Sequence, residues 1–116
     1  MHLSLSETDA LHYQHHEPSR PGAPTFVFVN ALTGSTDAWE AVVAPSLRAQ
    51  GFGTLSWNFR GQTDSPFDPG LELTEEVITG DLQRLLAELR PARPILVGLS
   101  IGGLYAARAI LGGARV

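Results

Sequence analysis

Pro94-Ile95-Leu96-Val97-Gly98-Leu99-Ser100-Ile101-Gly102-Gly103-Leu104-Tyr105-Ala106-Ala107-Arg108-Ala109-Ile110-Leu111 is the stretch that decides the fold of this chain. Its first four residues read as a buried strand, and residues 104–111 read as a helix. Between them Gly98-Leu99-Ser100-Ile101-Gly102 spells G-x-S-x-G. A strand, a sharp glycine turn and a helix are the context in which that motif forms a nucleophile elbow. Ser100 must stand clear of the sheet end with its hydroxyl exposed. Bulky neighbours would clash in so tight a turn, so glycines flank the serine two residues away on each side.

Outward from the elbow, strands and helices alternate. Residues 2–16 read as a hairpin of two short strands turning around Glu7-Thr8-Asp9-Ala10. A loop rich in turn residues, Pro18 to Pro24, leads into the apolar run Thr25-Phe26-Val27-Phe28-Val29. Such a run marks a parallel strand covered on both faces. The loop Asn30–Thr36 follows. Asp37 is the expected cap of a helix from Ala38, with Trp39, Val42, Val43 and Leu47 on one face and a kink at Pro45. Thr54-Leu55-Ser56-Trp57-Asn58-Phe59 reads as the next strand. After a loop from Arg60 to Gly70, Thr74 caps a helix running to about Leu89. Its apolar stripe is Ile78, Leu82, Leu85, Leu86 and Leu89, and its charged residues, Asp81 among them, fall mostly off that stripe. This order predicts an α/β fold with a largely parallel sheet and helices on both faces.

Composition narrows the function. With 116 residues and 43% apolar content at a mean hydropathy of +0.01, the chain suits one small globular domain. No apolar stretch approaches the ~18 residues of a membrane span. The net charge is −4 and all eight basic residues are scattered arginines, which points away from nucleic acid and anionic membranes. Cysteine is absent, so disulfides and thiolate chemistry are excluded. No signal peptide is evident at the N-terminus, which makes a cytoplasmic setting the expectation. No metal or cofactor is implied, since His15-His16 has no third ligand evident nearby. Trp39 and Trp57 read as core.

The order of motifs resembles the N-terminal half of an α/β-hydrolase, and the resemblance covers nearly the whole chain. It rests most on Gly98-Leu99-Ser100-Ile101-Gly102-Gly103. Arg60-Gly61-Gln62-Thr63-Asp64-Ser65 is similar to the R-G-x-G-x-S loop of that family, with Thr63 in place of the second glycine. Asn30-Ala31 stands where relatives commonly have His-Gly, and Leu32-Thr33-Gly34-Ser35 follows. An Asn-Ser-Leu form of this loop, and elbows similar to this one, occur in the 3-oxoadipate enol-lactonase branch.

The resemblance implies that Ser100 is the nucleophile of a serine hydrolase. The backbone N–H groups of Ile101 and Leu32 would form the oxyanion hole, each worth about 2.7–4 kcal/mol in the transition state. The substrate would be a small ester, lactone or similar acyl compound. Asn30 has two open roles, supporting the loop or touching substrate. A serine needs a base, and in this fold the acid and histidine follow the serine in the chain. None of residues 101–116 is Asp, Glu or His. The expectation is therefore an N-terminal portion, residues 1–116, of a single domain truncated after the elbow helix, inactive by itself and prone to self-association. His2, His12, His15 and His16 lie in the hairpin, which in the family sits at the sheet edge opposite the strands that follow the elbow helix. Asp64 and Asp68 lie in a loop near the strand ends and have two readings, groups facing the site or, the favoured one, turn residues beside Pro66 and Pro69. Two alternatives stay open: a catalytically inactive domain that only binds or has no function, and a cofactor-free haloperoxidase-type activity that reuses the same serine.

Overall fold

The apolar run at residues 25–29 forms β3 (Thr25–Val29), between β4 (Gly53–Trp57) and β5 (Pro94–Gly98), and parallel to both. β2 (Ala10–His16) pairs antiparallel with β4, and β1 (His2–Ser4) antiparallel with β2. The computed structural model describes every residue except 8, 32–34, 61, 63–73 and 115. Among the described residues the strand order is β1-β2-β4-β3-β5. The chain thus forms a mixed sheet, antiparallel at the hairpin and parallel where the elbow sits.

The strict alternation of side chains along a strand sorts the sheet into two faces. Val27, Val29, Leu55, Trp57 and Phe59 face one side with Leu11 and Tyr13 of β2. There they meet α3 (Glu75–Leu89) and α4 (Ile101–Leu111). The stripe Ile78, Leu82, Leu85 and Leu86 of α3 is buried as the sequence predicts, each such side chain worth roughly 1.5–3 kcal/mol. Thr74 caps α3 by accepting from the Val77 N–H. On the opposite face Phe28 stacks on Trp39 at 4.6 Å between ring centres, and Phe26 meets Phe52 edge-on. Thr54 and Ser56 are fully buried there. Arg48 Nη1 donates to Thr54 Oγ1 at 3.0 Å, and Ser56 donates to Glu40 Oε1 at 3.1 Å. Arg48 and Glu40 close the set as an ion pair at 2.9 Å.

The helix predicted from Ala38 is instead two short ones, α1 (Thr36–Glu40) and α2 (Val43–Ala49). The Pro45 ring would clash with the Ala41 carbonyl in a continuous helix. The chain therefore breaks at Ala41–Val42, and Pro45 falls in the first turn of α2, where no intrahelical N–H is required. Val42 and Val43 are exposed rather than on a buried face. The cap of α1 is Ser35, whose hydroxyl accepts from the Asp37 N–H, not Asp37 itself.

β5 also departs from the expectation of a buried strand, since Ile95 is 43% exposed. The cause is its position at the sheet edge. Leu99 N–H bonds to Val29 O on the β3 side. The alternation of a parallel ladder then directs the backbone groups of Leu96 and Gly98 to the open side. Leu99, Leu104, Ile110 and Leu111 add exposed apolar surface nearby. An uncharged open edge flanked by apolar side chains invites pairing with another strand. Residues 1–116 alone are expected to run above 12.4 kDa on size exclusion with light scattering. A sharp cooperative melt from a monomer would contradict this.

Candidate active site

At the end of β5 the backbone reverses within one residue. Ser100 takes φ 57° and ψ −122°, positive φ on a non-glycine residue. Such conformations cost on the order of 1–3 kcal/mol and persist only where the surroundings enforce them. The serine is exposed at the N-terminus of α4. The enforcement comes from two close approaches. A Cβ on Gly98 would lie 2.4 Å from Gly103 Cα, and one on Gly102 would lie 2.2 Å from Val29 O. Gly103 is different, because a Cβ there meets only Gly98 O at 4.0 Å. The first turn of α4 is thus pressed onto the C-terminal end of β3, where the loop beginning at Asn30 starts.

The turn also disposes its N–H groups. Gly102 N–H bonds to Leu99 O at 2.9 Å and Gly103 N–H to Ser100 O at 3.0 Å. Ile101, the first residue of α4, has no intrahelical acceptor by position. Its N–H lies at the positive end of the helix dipole, beside the serine. Leu32, the second donor that the family resemblance implies, lies outside the described residues, as do Asp64 and Asp68.

What is described of the 30–36 loop is held by amides. Asn30 is 1% exposed. Its Oδ1 accepts from Trp39 Nε1 at 2.6 Å. Its Nδ2 donates to Trp57 O at 2.8 Å and shares its protons with Asn58 Oδ1 at 3.3 Å and Gln62 Oε1 at 3.1 Å. These partners match the loop-supporting role left open for Asn30. Asn58 Oδ1 also accepts from Thr36 N–H at 2.8 Å, at the far end of the loop. Gln62 Oε1 accepts from Phe59 N–H at 2.8 Å, and its Nε2 donates to Ala31 O at 3.1 Å. Both loop ends are therefore gripped from the segment after β4. Trp39 is half-buried rather than a core residue; it stacks on Phe28 and orients Asn30.

Sequence reasoning passed over Asn58 and Gln62, and it left Asp81 on the polar side of α3. Asp81 is 4% exposed because Arg60 chelates it. Arg60 Nε and Nη2 donate to its two oxygens at 2.7 Å each, while Nη1 donates to Asp9 at 2.8 Å. The Asp81 hydrogen bonds, reinforced by both carboxylate charges against the cost of burial, raise the Arg60 pKa further. The signal available was the arginine of the Arg-Gly loop itself, which needs acidic partners once half-buried. This ion triad fixes the chain two residues before Gln62.

The histidines lie in or beside β1 and β2, with β4 and β3 between them and β5. Three strand spacings amount to about 14 Å, far beyond the hydrogen-bond reach of a general base. Burial lowers the His15 pKa, and neighbouring His16 lowers it while Glu17 raises it. Among the described residues no three His, Asp or Glu side chains converge as a metal site would require. The clefts of about 680 and 650 Å³ run beside α3 and α4, and Ser100 lines neither.

A strained serine between two obligatory glycines, at a helix start beside a buttressed loop, is the architecture of one class of fold. The chain belongs to the alpha/beta hydrolase fold family, which matches residues 24–111. It is 32% identical over 80 residues to the sn-1-specific diacylglycerol lipase ABHD11 of Mus musculus, covering 69% of this chain and 25% of that protein. It is similar to the crystal structure of the enol-lactonase from Burkholderia xenovorans LB400, at a TM-score of 0.69 and 33% identity over 84% of this chain and 36% of that one. A carboxylesterase structure from Nitrososphaera gargenis aligns at a TM-score of 0.84 and 23% identity, covering 97% of this chain and 41% of that chain, and shows the shared fold. The chain thus spans a quarter of the curated lipase and about two-fifths of the solved hydrolases. No helix of the described residues is long and apolar enough to cross a membrane.

Gly102→Ala is expected to destabilise the chain by about 1–3 kcal/mol through backbone overpacking. Gly80→Ala, mid-helix with nothing within 4 Å, should stabilise it by about 0.5–1 kcal/mol. Urea unfolding of both variants checks this, and equal effects would contradict the close approach.

Proposed function

We propose that residues 1–116 carry the nucleophile and oxyanion elements of a serine hydrolase acting on ester, lactone or similar acyl substrates. The observation that carries this reading is the backbone of Ser100, φ 57° and ψ −122°, on an exposed serine at the start of α4. In this reading the reversal serves to present the hydroxyl at the start of α4, next in sequence to the Ile101 N–H.

In this mechanism Ser100 Oγ attacks the acyl carbon as a histidine removes its proton. The carbonyl oxygen becomes an oxyanion, bound by the N–H groups of Ile101 and Leu32. Collapse of the tetrahedral intermediate expels the alcohol and leaves an acyl-serine, which water hydrolyses. The acid and histidine come from residues outside 1–116. Support for this is the span of the solved hydrolases, of which this chain covers about two-fifths, together with the distance of its own histidines from Ser100. The substrate class follows the lipase and enol-lactonase relatives.

A fluorophosphonate probe is expected to label the catalytically complete protein at Ser100, and p-nitrophenyl ester hydrolysis should vanish in Ser100→Ala. Residues 1–116 alone should show no appreciable hydrolysis. A robust rate from the short chain, or an adduct mapped elsewhere, would overturn the assignment.

A further inference from the structure

We propose that Asn30 is a positioning residue for Ser100, acting through the two carbonyls on which the first turn of α4 rests. The inference rests on the serine hydrolase reading and goes beyond it, since that reading gives Asn30 no part in the reaction. The seat itself is set by packing. A Cβ on Gly102 would lie 2.2 Å from Val29 O and 2.5 Å from Asn30 O. Both carbonyls therefore face the helix start, two residues after the strained serine. Val29 O is already held by β5, since it accepts from Leu99 N–H at 3.0 Å. Asn30 comes just after the last residue of β3, and its own side chain fixes it there.

β3 and β4 stop pairing before either strand ends. Their ladder closes at Val27–Leu55, whereas β3 runs to Val29 and β4 to Trp57. On its other flank β3 stays paired to β5 as far as Val29–Gly98. Beyond Val27 the Asn30 amide bridges the gap to β4. Its Nδ2 reaches Trp57 O at 2.8 Å and Asn58 Oδ1 at 3.3 Å. The amide can stand only one way, because an indole N–H donates and never accepts. The atom 2.6 Å from Trp39 Nε1 is therefore Oδ1, which leaves Nδ2 to face Trp57 O. A flipped amide would set N–H against N–H at one end and oxygen against oxygen at the other. With its side chain buried and pinned at both ends, Asn30 makes its carbonyl a fixed stop for α4. The helix start closes onto that stop, and Ser100 is kept at positive φ instead of relaxing.

Asn30→Asp keeps the size and the acceptor for Trp39, and it turns an oxygen against Trp57 O. In a ¹⁵N-labelled sample it is expected to shift the amide resonances of Ser100, Ile101 and Gly102 while leaving those of β1 in place. Unmoved elbow resonances overturn the proposal. In the catalytically complete protein kcat should fall by up to about 100-fold, the cost of misplacing a reacting group by about 1 Å. KM should stay within about twofold, because the loss falls on the transition state. Labelling of Ser100 by a fluorophosphonate should slow in parallel with kcat. Leu11→Val, which loosens the core at β2, separates positioning from stability. It should lower the urea midpoint with kcat and the elbow resonances unchanged, and a matching loss of kcat there would overturn the specific role of Asn30. Unchanged kcat in Asn30→Asp, with activity lost in Ser100→Ala, defeats the role of Asn30 alone. Full activity in Ser100→Ala defeats the hydrolase reading instead. Should Asn30→Asp fail to fold, Trp39→Phe decides, since it keeps a ring against Phe28 and removes the indole N–H that fixes the amide. Shifted elbow resonances in that variant support the proposal, and unmoved ones overturn it.

Discussion

The first turn of α4 touches the end of β3 with no side chain between them. Gly102 approaches Val29 O so closely that even a methyl group would be excluded. The reversal at Ser100 depends on this contact. It brings a helix N-terminus to the parallel part of the sheet, and it forces the reversal that leaves Ser100 strained. It also places Ser100, the proposed nucleophile, beside the loop that leaves β3 at Asn30.

Strain of this kind needs a rigid frame, and the frame is polar as well as apolar. Below the sheet the α3 stripe and Tyr105 close over Trp57 and Phe59. Above it, buried amides of Asn30, Asn58 and Gln62 satisfy one another and the loop backbone. A buried polar group left without a partner costs roughly 1–3 kcal/mol, so such a cluster specifies one arrangement of the loop. Arg60 ties that cluster to α3 and to the hairpin through Asp81 and Asp9. Asn30 turns inward as the hub of that cluster, and Gln62 donates to Ala31 O.

The fold was legible because its signals are periodic. The apolar run of β3, the stripe of α3 and the glycine spacing around Ser100 each report a local geometry that the tertiary structure keeps. The Ser100 elbow was legible for the same reason. The missed features are long-range. Asp81 looks solvent-facing on a helical wheel, and only a partner 21 residues away, Arg60, explains its burial. Gln62 looks like an ordinary loop residue until it is seen against Ala31, 31 residues earlier. The break between α1 and α2 was signalled by Pro45, but its place depended on the clash with Ala41, and Ser35 rather than Asp37 captures the first free N–H groups.

The central claim is that one strained serine and two backbone donors form a single site for a developing oxyanion. The most direct measurement is a crystal structure of the catalytically complete protein after reaction with a phosphonate ester. The account predicts a covalent bond to Ser100 Oγ, with the phosphoryl oxygen about 2.7–3.1 Å from both the Ile101 and Leu32 nitrogens. A phosphoryl oxygen turned to solvent, or an adduct on any other residue, would contradict it.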